Sequence, residues 1–343
     1  MFFAAVRKRS SAACGCGWVF ARNLATQAVS NERQAPDDFC VDLVRNGDKH
    51  GYLAGMFVPL EARKAYFAVR ALNIELARVK DAVGSNDQIG RMRFQWWREG
   101  IDAIYSGSLG QFGGNPVIKA TAAAVGKHEL TRRWLDKLVD AREDDLFLYQ
   151  PQSLEDMETY AEQTASSLMY LGLEMVGIRE DSADHVASHV GKATGLASAL
   201  NGLPYVFEAG QLRLPRDLMV KHGLRGRGFA EIAEDRRAGR KPDSRRPSAM
   251  TEEEKVQAYS ALIDVTFEIA SLAHGHLEHA RTLTEKVPTA GRLMFLPVTP
   301  ASRFLTRLES HSFDILDPKL RNDPFAHLSL VYQLGRHYYA GTF

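Results

Sequence analysis

Across residues 61–83 the apolar positions Ala65, Ala68, Leu72, Leu76, Val79 and Val83 recur at every third or fourth place, which is the period of a helix with one buried face. The same stripe returns along most of the chain. Asn86 or Asp87 is placed to cap a helix running through Tyr105, and Thr131 to open one through Asp145. Residues 154–176, 184–203, 255–285 and 324–339 read in the same way. No period-two alternation lies between them, so the sequence predicts an all-α fold whose long helices line a shared central cavity.

Hydrophobic residues make up 45% of the chain and charged residues 25%, the balance of a protein that can bury a core. With 43 basic and 42 acidic residues the formal charge is +1, which argues against a nucleic-acid partner. The three cysteines, Cys14, Cys16 and Cys40, all lie near the N-terminus, excluding a disulfide framework or a cysteine-ligated zinc core in the body. No apolar run reaches bilayer-spanning length; the longest, residues 168–178, contains Glu174. Nor is there a Walker A loop, a Gly-x-Gly-x-x-Gly after a strand, or an internal repeat.

Residues 1–31 contain no acid and include Arg7, Lys8, Arg9 and Arg22. That composition describes a mitochondrial transit peptide, which leaves residues 36–340 as the helical domain. Residues 225–250, with eight basic residues between Arg225 and Arg246, form an expected mobile insertion. It is either a solvated loop or a contact for anionic lipid or an acidic partner.

Within the stripe of residues 61–83, Glu75 falls beside Leu72, Leu76 and Val79. A carboxylate aimed at a core needs a cationic partner, for instance Arg98, or a polar cavity. Gly191, Gly195 and Ala199 put small residues on one helix face, which suits close helix packing. Gly202 and Pro204 predict a helix end that presents Asn201. His185 and His189 share a face, but His274 and His276 point about 200° apart on a helix. No Glu-x-x-His pair converges with them, so no metal site is expected. No Gly-x-Ser-x-Gly elbow and no body cysteine supply a nucleophile.

Several segments carry a resemblance: Tyr66-Phe67-Ala68-Val69-Arg70-Ala71 leading to Asn73-Ile74-Glu75-Leu76-Ala77, Met92 through Arg98, Tyr160 through Leu168, and Gly195 to Leu200 followed by Leu212-Arg213-Leu214-Pro215. In this order they resemble the squalene/phytoene synthase family of the isoprenoid-synthase fold. The resemblance implies two Asp-x-x-x-Asp motifs on facing helices, whose carboxylates hold the magnesium ions that bind a substrate diphosphate. Laid on this chain, the first motif falls on Ile74 to Arg78, where only Glu75 keeps a carboxylate. The second falls near residues 201–205, with no acid until Glu208.

The resemblance therefore implies a pseudoenzyme with no catalytic residue, no metal and no cofactor, whose candidate cavity positions are Asn73, Glu75, Arg78 and Asn201. Within the family, Asn73-Ile74-Glu75-Leu76-Ala77, Thr131-Arg132-Arg133-Trp134-Leu135, Ala183-Asp184-His185 through Gly191-Lys192-Ala193 and the helix with Ala273-His274 resemble a non-catalytic mitochondrial branch, the assembly factors of respiratory complex I (NADH dehydrogenase). That likeness implies a matrix protein, peripheral to the inner membrane, whose partners are complex I assembly intermediates or a membrane-embedded subunit at an early stage. The alternative is a divergent prenyl-diphosphate transferase of isoprenoid or quinone metabolism.

Overall fold

Most helices begin where a short polar side chain or a proline can close the first turn. Helix α1, Pro36–Gly47, opens on Pro36 with Asp37 and Asp38 in its first turn, where proline lacks no useful donor and acids meet the positive end of the helix dipole. Helix α2, Lys49–Gly55, is capped by Asp48, which accepts the Gly51 N–H at 2.8 Å. Helix α3 is Leu60–Val83. Helix α4, Asp87–Ser106, starts under Asn86, whose Oδ1 accepts the Ile89 N–H at 3.2 Å, and stops at left-handed Gly107. Helices α5, Pro116–His128, and α6, Arg132–Phe147, follow.

Ser153 and Asp156 form a capping box at α7, Leu154–Ala161. A π-helical turn, Glu162–Ser166, joins it to α8, Ser167–Met175. Helix α9 is Asp181–Glu208 and α10 is Arg216–Lys221. A second capping box, Thr251 with Glu254, opens α11, Glu252–Thr282. Helices α12, Thr289–Met294, α13, Thr299–Ser310, α14, Pro318–Arg321, and α15, Ala326–Ala340, complete the order.

This computed structural model describes residues 34–343 except 85, 148–149, 209–210, 227, 229–231, 233–249 and 322–324. The expectation for residues 1–31 lies outside the described residues, as does most of that for 225–250. No strand occurs among the described residues, in line with the all-α reading.

Two apolar clusters form the interior. One joins Phe67, Leu72 and Leu76 of α3 to Phe94 and Ile101 of α4 and Leu135 and Leu138 of α6. The other joins Val186, Val190 and Leu196 of α9 to Val265 and Ile269 of α11 and Leu308 of α13. Trp134 and Val176 pack against both. Each fully buried side chain of this size contributes about 2 kcal/mol, so the stripes read from the sequence are also where the stability resides. A smaller cluster of Ala54, Leu296, Leu330 and Leu334 holds α15.

Helix α9 departs from the expected boundary. It passes through Pro204 and continues to Glu208. A helix-interior proline costs about 3 kcal/mol through its missing N–H and its clash with the preceding turn. Here Leu200, Leu203 and Phe207 on either side are all buried, and their burial outweighs that cost. Gly191 and Gly195 serve close packing: a Cβ at Gly191 would overlap the backbone of Ser166, and one at Gly195 would lie 2.9 Å from the Ala161 Cα.

Candidate functional site

The face of α3 that looks into the bundle carries Asn73 and Lys80. Asn73 Oδ1 accepts from Arg142 Nη2 of α6 at 3.3 Å, and Arg142 Nη1 donates to the Tyr160 hydroxyl of α7 at 2.6 Å. Lys80 Nζ is 3.1 Å from Asp145 Oδ2, and Arg213 Nη1 donates to Asp145 Oδ1 at 3.0 Å. Asp145 is thus shared by two cations, while Arg142 is held by neutral partners and its Nε is buried with no hydrogen-bond partner. Burial raises the Tyr160 hydroxyl pKa against the pull of Arg142, and burial lowers that of Lys80 against the pull of Asp145.

This geometry corrects the motif register. Ile74 and Arg78 lie beside Gly47 of α1, whereas Asn73 and Lys80 meet α6, and helix spacing puts Ala77 on their side. A one-residue shift turns a helix position by about 100°, enough to move a pair from the interior to the next groove. Arg142 was missed in the sequence although the signal was present: it sits on the stripe of Leu135, Leu138, Val139 and Leu146, as Glu75 does on its own.

Glu75 and Arg78 border an open cleft of about 320 Å³ between α3 and α4, shared with Val79, Ala82, Arg93, Trp96 and Trp97. Arg78 Nη1 stands 3.5 Å from Glu75 Oε1, one turn away on the same helix. The Trp96 and Trp97 rings meet edge to face at 5.0 Å, and Trp96 rests on Phe112 at 5.3 Å. Arg98 is not the partner of Glu75; it pairs with Asp140 at 2.7 Å and with Glu143, because its side chain leans toward α6. The structure therefore brings Glu75 and Arg78 together, sets Asn73 in the interior network, and leaves Asn201 exposed on α9.

A second polar group lies where the π turn meets α9. Glu162 accepts from the Tyr170 hydroxyl at 2.6 Å and the Ser188 hydroxyl at 2.7 Å, and Tyr170 stacks on Trp134 at 4.2 Å. Burial pushes the Glu162 carboxyl pKa up, but these hydrogen bonds and Lys192 outweigh it and hold the carboxyl below its usual value. A depressed folded-state pKa adds stability above the unfolded value, about 4.3, and that stability disappears as pH falls through the folded one. Tyr170→Phe is expected to cost more stability at pH 7 than at pH 3, as measured by urea unfolding at both; an equal cost at the two pH values would show that the hydroxyl does not hold the carboxylate.

The histidines also differ from expectation. Helices α9 and α11 run side by side, so His185 and His189 of α9 meet His276 and His279 of α11. His274 points away from His276 and takes no part in this meeting of rings. His276 and His279, three apart, share a face.

Magnesium requires several hard oxygen ligands, carboxylates above all. The interior face of α3 offers Asn73, Ala77 and Lys80, with Arg142 opposite Asn73, and these residues do not fit a magnesium–diphosphate site. An all-helical bundle with these segments in order defines a class all the same: the chain belongs to the squalene/phytoene synthase family, whose model matches residues 44–326. Its fold is similar to that of a squalene synthase from Alicyclobacillus acidocaldarius, with a TM-score of 0.65 at 16% identity over 81% of this chain and 95% of that one. In sequence it is similar to the Bos taurus protein named NADH dehydrogenase (ubiquinone) complex I, assembly factor 6, with 35% identity over 332 residues, 94% of this chain and 91% of that one. The Homo sapiens protein of the same name is 37% identical over 285 residues, 83% of this chain and 77% of that one.

Proposed function

We propose that this chain is a non-catalytic assembly factor of mitochondrial respiratory complex I. The observation that carries the non-catalytic reading is the Asn73–Arg142 pair. A guanidinium on neutral partners, beside an Asp145 already neutralised by Lys80 and Arg213, disfavours the divalent cations that prenyl-diphosphate chemistry needs. The two relatives named as complex I assembly factors, similar over most of their length, support the choice of client.

In this reading residues 1–31 direct import, and the protein works from the matrix side on a membrane-embedded subunit early in assembly. Asn73, Glu75, Arg78 and Asn201 are binding or structural positions, not catalysts, and the tryptophan-lined cleft at Glu75 and Arg78 receives the client. No helix among the described residues is long and apolar enough to cross a membrane. Helix α15 supports a peripheral attachment. Leu330 and Leu334 fix it to the body, while Leu328, Tyr332 and Tyr339 stay exposed on its other side with Arg336 among them. Aliphatic, tyrosine and arginine side chains on one helix face suit the headgroup boundary of a bilayer.

Native gels of cells lacking the chain are expected to show selective loss of complex I, restored by the wild type. A folded Leu328→Asp/Tyr332→Asp variant is expected to restore it poorly. Normal assembly of every complex, with a fall in all quinone-linked electron transfer, would overturn the assembly reading in favour of a prenyl-chain enzyme.

A further inference from the structure

Four of the chain's eleven histidines gather in one patch between α9 and α11. Ring centroids are 4.8 Å apart for His185 and His189, 4.5 Å for His189 and His279, and 5.8 Å for His185 and His279. One ligand nitrogen from each of these three rings lies within 4.8 Å of the other two. Bonds of about 2.0–2.1 Å in a tetrahedral zinc site place imidazole nitrogens roughly 3.3 Å apart. Closing the difference takes rotation about side-chain torsions, and His185 and His279 are exposed and free to turn while His189 is half-buried.

We infer that His185, His189 and His279 form a tris-imidazole site for a divalent transition metal of the zinc class, with His276 as the residue that positions His189. The first support is the His189 Nδ1 to His276 Nδ1 hydrogen bond of 2.8 Å. One nitrogen must donate and the other accept. With His189 donating from Nδ1, its Nε2 keeps a lone pair for a metal, and His276 accepts on Nδ1 and carries its proton on Nε2. That Nε2 is buried with no hydrogen-bond partner and lies 3.3 Å from the Glu158 carboxylate. A small rotation completes a chain from Glu158 through His276 to His189, the arrangement that fixes the tautomer of a ligating histidine.

The second support is the donor set: metal ligation requires neutral imidazole, and Lys192 beside the patch pairs with Glu158 at 2.9 Å, so its ammonium is compensated. Three imidazoles without a carboxylate select borderline metals such as zinc, copper or nickel over magnesium and calcium. The exposed side of the patch leaves a fourth position open to water or to a donor from a partner protein.

The test is titration of the purified full chain with zinc chloride by calorimetry, repeated with cobalt(II) to read coordination by visible absorption. One equivalent of zinc is expected to bind, with tetrahedral cobalt bands lacking thiolate charge transfer. Binding is expected to be lost in His185→Ala/His279→Ala, whose exposed side chains are dispensable for folding, and kept in the control His274→Ala. His276→Gln is expected to weaken binding about 10-fold, the lower end for a residue behind a ligand. Thermal melts without metal establish that each variant is folded. No zinc binding by the wild type, or binding unchanged in the folded His185→Ala/His279→Ala variant, would overturn the proposal.

Discussion

Gly191→Ala is expected to destabilise the fold by about 3 kcal/mol, at the upper end of overpacking costs. The added methyl group meets the Cα, N and Oγ of Ser166, so the neighbour that must yield is largely backbone. Ser166 itself is buried, and its hydroxyl is committed to the Ser188 carbonyl at 3.0 Å. At an unfolding entropy of about 2 cal/mol/K per residue, that loss corresponds to a midpoint lowered by about 5 °C, which differential scanning calorimetry resolves. Gly202→Ala is the control, since a Cβ there meets nothing within 4 Å. Equal midpoints for the two variants would mean that α9 does not need its close approach to Ser166.

Glu174→Ala is expected to cost about 2–3 kcal/mol, by leaving a buried donor without its acceptor and an arginine without its counter-charge. Glu174 is only 8% exposed. Its Oε2 accepts the Thr131 N–H at 2.7 Å, and its Oε1 lies 3.3 Å from Arg179. Arg179 in turn donates to the carbonyls of His128 at 3.1 Å and Glu129 at 2.7 Å, pinning the turn where Glu129 takes a left-handed φ of 54°. Because Arg179 is partly exposed, solvent screens the pair, and the orphaned Thr131 N–H carries the larger share. Glu174→Gln keeps a carbonyl acceptor for that N–H and is expected to recover about half of the loss. A urea midpoint unchanged in Glu174→Ala would remove the carboxylate from the account of this turn.

What the sequence made legible follows from where the signals are local. Helix period and cap chemistry are properties of neighbouring residues, so Asn86 caps α4 where short-range rules put it. The small-residue face of Gly191 and Gly195 was likewise readable as close packing. Errors arose where the third dimension decided. Pro204 was read as a stop because the buried Leu203 and Phe207 around it were invisible to a local rule. Arg98 was offered to Glu75 because adjacency along the chain stood in for direction in space. The histidine patch forms only because α9 and α11 lie side by side, a contact that spacing within one helix does not encode. In the Asn73–Arg142–Tyr160 network, a charged residue on an apolar stripe was the signal, and it was applied to Glu75 but not to Arg142.

The π-helical turn at Glu162–Ser166 has a geometric consequence of its own. Ala161 and Ser166 are five residues apart, yet they face Gly195 and Gly191, four apart on α9. In an unbroken α-helix two residues five apart diverge by about 140°, and only one could rest on α9. The wider turn absorbs one surplus residue and re-phases everything downstream, so that Tyr170 reaches Trp134 and Glu174 reaches Thr131. The length of this segment is therefore itself a structural constraint. Every side chain can keep its identity, yet one residue more or fewer here would turn the whole of α8 by about 100° against its neighbours.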